Sequence, residues 1–138
     1  ERVTLQVQRA GLEPGGRCAI LMSNQSKWVI SGLGALWAGA VLVPLDYKLA
    51  AAEQLALLAH ARPKVLIIEY PLWRSLLEGH GELAAVTAHV FVTEAPASAA
   101  LGAVSRHRLP GGVRVGAIFE RSLQVGNTVR RMRARATS

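Results

Sequence analysis

WVISGLGALWAGAVLVPL, Trp28 to Leu45, runs eighteen residues without a charge between Lys27 and Asp46. Its reading decides the fold, because about eighteen apolar residues in a row are enough for a transmembrane helix. Gly32, Gly34, Gly39 and Pro44 interrupt it, and from Ala40 it turns β-branched and extended (AVLVPL). Glycine and proline do occur in membrane helices, so they do not exclude a span. One helix followed by one strand, both buried, accounts for the two halves better. In that helix Val29, Leu33, Leu36, Trp37 and Ala40 share one broad stripe, and Ser31, Gly34, Ala35 and Ala38 leave much of the remainder small. The pattern predicts a helix with little water contact, its small side open to close approach.

Upstream, Val3, Val7 and Ala10 have helical spacing, Gly11 is a stop, and Glu13-Pro14-Gly15-Gly16 is a turn. Arg17 to Met22 reads as a strand buried on both faces, after which Ser23 or Asn24 is expected to cap the next helix. Downstream, Val41 to Leu45 is the second strand. A helix from about Ala51 to Ala61 follows, with Leu55 and Leu58 inward and Glu53, Gln54 and His60 outward. Arg62-Pro63 ends it, since proline cannot continue a helix and biases the residue before it to extended geometry. Lys64 to Ile68 is the third strand, Pro71 to Glu78 a short helix broken by Gly79-His80-Gly81, and His89 to Thr93 the fourth strand. Continuous apolar strands alternating with helices point to an α/β fold with an open, mostly parallel sheet and right-handed crossovers. The pattern stops near Glu94, so residues 1–94 read as the α/β body and 95–138 as an irregular, Arg-rich tail.

With 138 residues, about half of them hydrophobic, the chain has the size of one domain able to bury a core. The single cysteine, Cys18, lies in an apolar stretch and reads as core rather than as part of a disulfide or zinc site. No basic region followed by an apolar core opens the sequence, so no secretory leader is expected and the localisation reads as cytoplasmic. Asn24-Gln25-Ser26 matches a glycosylation sequon but reads as the start of a helix. The net charge of +7 is concentrated in residues 106–138, which hold eight arginines and one acid, Glu120; residues 1–105 are balanced. A surface for nucleic acid would therefore lie in the tail. No aromatic residue interleaves Arg130, Arg131, Arg133 and Arg135, so no specific nucleic-acid partner is expected.

Catalytic motifs are mostly missing. There is no Gly-Lys-Ser/Thr phosphate loop, and Gly32-Leu33-Gly34 with Gly39 misses the dinucleotide spacing and sits inside a helix. His80-Gly81-Glu82 lacks the paired cysteines of a zinc deaminase. His60, His80, His89 and His107 show no metal-ligand spacing. Asp46 stands at the carboxyl end of a buried strand, where ligands of open α/β sheets bind, but a turn cap explains it as well. Trp28, Trp37 and Trp73 read as packing. No catalytic, cofactor-binding or metal-binding residue is assigned.

The body of the chain resembles the N-terminal part of AMP-forming acyl-CoA synthetases, the adenylate-forming ligases of the AMP-binding superfamily. The likeness rests on Gly11 to Ile20 (GLEPGGRCAI), Asn24 to Trp28 (NQSKW), Gly34 to Asp46 (GALWAGAVLVPLD) and Pro63 to Ile67 (PKVLI), in that order. Gly16 replaces an aspartate usual in the family, and Ala50 a Ser or Thr that opens a helix, at a capping cost of about 1 kcal/mol. The resemblance implies a parent enzyme that uses ATP, Mg²⁺ and coenzyme A to turn a carboxylic acid, with fatty acids among the candidates, into its thioester. It implies also that this chain is truncated at both ends. The family's Ser/Thr/Gly-rich phosphate loop, nucleotide motifs and C-terminal lysine have no counterpart, so the chain itself is expected to bind no cofactor and to be inactive. Alternatives are a non-catalytic interaction module, self-associating through an open sheet edge, and a basic-tailed nucleic-acid binder. The abrupt change to arginine-only basic residues, with no lysine after Lys64, suggests a frameshifted or rearranged end. If so, another reading frame of the nucleotides past the Glu94 codon restores a phosphate loop; its absence from every frame would end that idea.

Overall fold

The computed structural model describes residues 1–79, 87, 89–94 and 114–117, and the statements below concern these. The elements are α1 (Arg2–Arg9), β1 (Arg17–Leu21), α2 (Ser26–Trp37), β2 (Val41–Pro44), α3 (Ala51–Ala61), β3 (Val65–Glu69), α4 (Tyr70–Gly79), β4 (His89–Thr93) and β5 (Arg114–Ala117). They form one five-stranded sheet in the order β2-β1-β3-β4-β5, every pairing parallel. The fold class is α/β with an open parallel sheet, as the alternation of elements requires. β5 pairs with β4 from His89↔Arg114 to Val92↔Ala117, inside the stretch the sequence pattern left irregular. Four residues beside glycines are too few to show a period.

Successive residues of a strand point to opposite faces, and here each face meets its own helical layer. Ala19, Leu21, Leu66, Ile68, Val90 and Val92 pack in one core with Leu55 and Leu58 of α3 and Trp73 and Leu76 of α4. Cys18, Ile20, Val65, Ile67 and Phe91 pack in the other with Val3 and Val7 of α1 and Ala35 of α2. This double coverage explains the unbroken apolar runs of β1 and β3. Cys18 is a free, buried thiol whose pKa burial pushes up to about 12, so it is core and unreactive. Among the described residues no helix is long and apolar enough to cross a membrane.

The run from Trp28 to Leu45 thus splits into a helix and a strand, but β2 is a sheet edge with Val41 and Pro44 exposed rather than a buried strand, and α2 is turned the opposite way from its stripe. Ser31, Gly32, Gly34 and Ala35 are buried, while Val29, Leu33 and Leu36 are at least half exposed and Trp37 is 84% exposed. The reason is distance: at Gly34 a Cβ atom would lie 2.5 Å from the Val3 Cβ of α1. Thr4 Oγ1 also donates to the Gly34 carbonyl at 2.8 Å in this buried contact. Only small residues let α1 and the sheet come so near, so the small face goes in and the large one stays out. Gly39, at φ +81°, then reverses the chain into β2 as a left-handed stop.

Two smaller expectations also change. The N-cap of α2 is Gln25, without a side-chain cap bond, rather than Ser23 or Asn24. Arg62 closes α3 in a left-handed conformation (φ 46°, ψ 57°) instead of the extended geometry favoured before Pro63, and its N–H still reaches the Leu58 carbonyl. At Ala50 the missing hydroxyl leaves half a capping box: the Glu53 carboxylate accepts the Ala50 N–H at 3.0 Å, but alanine returns nothing.

Gly34→Ala tests the α1–α2 contact. Alanine is the better helix former by about 1 kcal/mol, yet the overpacking against Val3 is expected to give a net loss of about 1–3 kcal/mol. Chemical denaturation measures it, and Val3→Ala in the same chain should recover part of the loss.

Candidate functional site

Strand order reverses between β1 and β3: the chain moves outward from β1 to β2, then returns past β1 to place β3 on its other side. The crevice beyond the carboxyl ends of two such strands is where open α/β sheets bind ligands. Here it is occupied by the protein's own side chains. Ser23, two residues past β1, donates its hydroxyl to Glu69 Oε1, the last residue of β3, at 2.9 Å. The Gln25 amide donates to the same carboxylate oxygen. Ser23 is thus spent on Glu69 rather than on capping α2. The carboxylate is brought to the N-terminal end of α2, where the helix dipole favours negative charge. Beside it Lys27, in the first turn of α2, is paired with Glu94 just past β4. Glu94 takes a left-handed φ of 58°, uncommon for a residue with a side chain.

The loop from β2 to α3 borders a cleft of about 350 Å³ on the same edge, between Met22 and Trp28 on one side and Pro44, Asp46, Tyr47 and Lys48 on the other. Asp46 acts as a turn residue, its Oδ1 accepting the Lys48 N–H at 2.9 Å. Lys48 Nζ lies 5.9 Å from the centre of the Tyr47 ring. Gln54 fixes this loop from below. Expected outward, it is only 2% exposed, and its amide nitrogen donates to the carbonyls of Leu49 (3.1 Å), Asp46 (3.4 Å) and Tyr47 (3.4 Å). A helix wheel sees a polar residue and turns it to water; three loop carbonyls in need of a donor turn it in.

The sequence profile of the AMP-binding enzyme family matches residues 3–118, most of the chain and past Glu94 to include β5. The chain belongs to the AMP-binding enzyme family. It is 28% identical over 72 residues to a 4-hydroxybutyrate–CoA ligase of Metallosphaera sedula, covering 52% of this chain and 13% of the ligase. It is 33% identical over 57 residues to a methyl-dioxo-octahydro-indenyl-propanoyl:CoA ligase of Rhodococcus jostii, covering 41% of this chain and 11% of that one. The chain therefore spans little more than a tenth of the length of these relatives. Among solved structures, the adenylation domain of a Mycobacterium chelonae carboxylate reductase superposes with a TM-score of 0.71 at 19% identity, over 87% of this chain and 20% of that one. At that identity it shows the fold alone.

The family name raises the question of a nucleotide, and the described edge is acidic rather than set to meet a phosphate. The edge carries the carboxylates of Asp46, Glu69 and Glu94, and Lys27 is already paired with one of them. Among the described residues no three His, Cys, Asp or Glu side chains gather to hold a metal. Of the other singled-out residues, Trp73 is core as expected, Trp28 is half-buried in the cleft wall, and Trp37 is outside. His60 is exposed, and His89 sits on β4 with its ring 4.8 Å from that of Phe91. His80-Gly81-Glu82, His107 and Arg130 to Arg135 lie outside the described residues.

Gln54→Leu should cost about 1–3 kcal/mol by leaving the loop carbonyls without their donor. Hydrogen exchange checks the location of the effect: the Lys48 and Leu49 amides should exchange faster while those of β3 keep their protection.

Proposed function

We propose that this chain is the N-terminal α/β module of an ATP-dependent acyl- or aryl-CoA ligase. In that reaction a carboxylic acid is activated to an acyl-adenylate with release of pyrophosphate, and coenzyme A then takes the acyl group with release of AMP. The observation that carries the reading is the family match over residues 3–118, whose ordered segments fall on consecutive elements of the sheet. GRCAI lies in the turn and β1, NQSKW opens α2, GALWAGAVLVPLD spans α2 to the end of β2, and PKVLI enters β3. The two CoA ligases among the relatives support thioester formation as the reaction class. The Leu45-Asp46-Tyr47-Lys48-Leu49 stretch supports a fatty acid among the candidate acids, and a cytoplasmic setting accords with that chemistry.

The module's contribution is scaffold. It holds the β1 and β3 ends together through Ser23, Gln25 and Glu69, and the β2–α3 loop through Gln54. Charge developing on phosphate in the activation step needs preorganised cationic and N–H donors. The sequence offers no Ser/Thr/Gly-rich loop with a lysine to provide them, and the carboxyl edge is acidic. The 138-residue chain is therefore inactive by itself.

Carboxylate-dependent ATP–pyrophosphate exchange tests this directly. The purified chain, with Mg²⁺ and a panel of aliphatic and aromatic acids, should give no exchange above a blank without enzyme. Exchange that depends on both chain and acid would overturn the scaffold reading.

A further inference from the structure

Residues 1–105 carry balanced charge, but the fold separates it. The carboxyl edge of the sheet holds Asp46, Glu69 and Glu94, with Glu53 in the first turn of α3. The amino edge is basic. Along the strand order β1-β3-β4-β5, Arg17 begins β1, Lys64 directly precedes β3, His89 begins β4 and Arg114 begins β5. Register keeps these four within one residue of a common level. Adjacent strands lie about 4.8 Å apart, so the row advances along the edge in steps of that size. Two helices end beside it: Arg9 is in the last turn of α1, His60 in the last turn of α3, and Arg62 caps α3. Arg9, Arg17, His60, Arg62 and Lys64 are all exposed. Among the described residues the acids on this side are Glu13, in the turn before β1, and Glu78, which is paired with Arg74 of its own helix.

Helix C-termini attract cations, and Arg17 donates to the Ala61 carbonyl at 3.0 Å. Those roles account for the edge only in part. Arg62 holds a left-handed cap position (φ 46°) where glycine is usual, so the chain accepts a backbone cost where it gains a cation. We propose that the amino edge binds a linear chain of phosphate groups. Arginine predominates there, and its planar fork matches phosphate oxygens two at a time. A single small anion suits the row poorly, because its side chains diverge. Lys64 leans towards α1, its Cε 3.3 Å from where a Cβ on Gly11 would stand, while Arg17 reaches α3 in the opposite layer. A ligand whose charges repeat along a line meets both. Net charge alone points to the Arg-rich tail, since the body cancels; topology supplies the second surface. The inference stands apart from the ligase reading, because it uses the edge opposite the candidate site.

Two-dimensional NMR on the full 138-residue chain tests it, by titration with inorganic polyphosphate, oligothymidylate and polyglutamate. The Gly11, Arg17, Arg62 and Lys64 amides should shift with a phosphate chain, and those of the carboxyl edge should not. A response to polyphosphate alone identifies free polyphosphate as the ligand; a response to the oligonucleotide as well identifies the phosphodiester backbone. Affinity should fall with salt, with a log–log slope of about −0.7 per phosphate neutralised. Arg62→Asn with Lys64→Gln should lessen that slope by about 1.4, and asparagine still tolerates the left-handed cap. Glu13→Gln removes an acid from the edge and should tighten binding about two- to fivefold, a gain that no folding defect imitates. Shifts confined to residues 106–138 overturn the proposal. So do equal shifts with polyglutamate, no response to either phosphate chain, or an unchanged slope in the double variant.

Discussion

The structure depends on burying both faces of β1 and β3 at once. A parallel sheet cannot leave one side to water as a hairpin sheet can, because its crossovers deliver a helix to each face. Every side chain of β1 after Arg17, and every one of β3 before Glu69, is buried. That demand fixes what the helices must be. On one face α3 and α4 supply leucines and Trp73. On the other, two helices share the space, so α1 crosses close to α2 and only glycine, alanine and serine fit between them. The exposed arc of α2 follows from the same demand.

Much of this was legible in the sequence. Apolar runs of four to six residues bounded by turns gave four strands at almost their observed limits, and α3 and β4 match residue for residue. The orientation of α2 was not legible, because the rule that large apolar residues face the core fails when the separation of elements is set by the smallest ones. Gln54 was misread for a related reason: its burial follows from carbonyls of a loop whose path no local pattern reveals. β5 escaped because its partner β4 lies twenty-five residues upstream by register, from His89 to Arg114. The family likeness was carried by ordered segments, and the match over residues 3–118 bears it out.

The carboxyl edge of the sheet shows why a family match and a working site are different findings. Fold and topology put a crevice between β1 and β3, yet Ser23, Gln25 and Glu69 close it with hydrogen bonds among themselves. The neighbouring cleft is shaped by a loop that Gln54 and Asp46 hold in place. These devices position backbone rather than perform chemistry.

Native-state hydrogen exchange tests the central claim, that the doubly covered β1–β3 pair holds the fold together. The Ile20 and Ile67 amides should be among the slowest in the chain, and their opening free energy should equal that of global unfolding by denaturant. The α1 amides should open at lower free energy, since α1 covers only one face. Exchange at Ile20 and Ile67 at the rate of an unstructured peptide, or faster than in α1, would contradict the account.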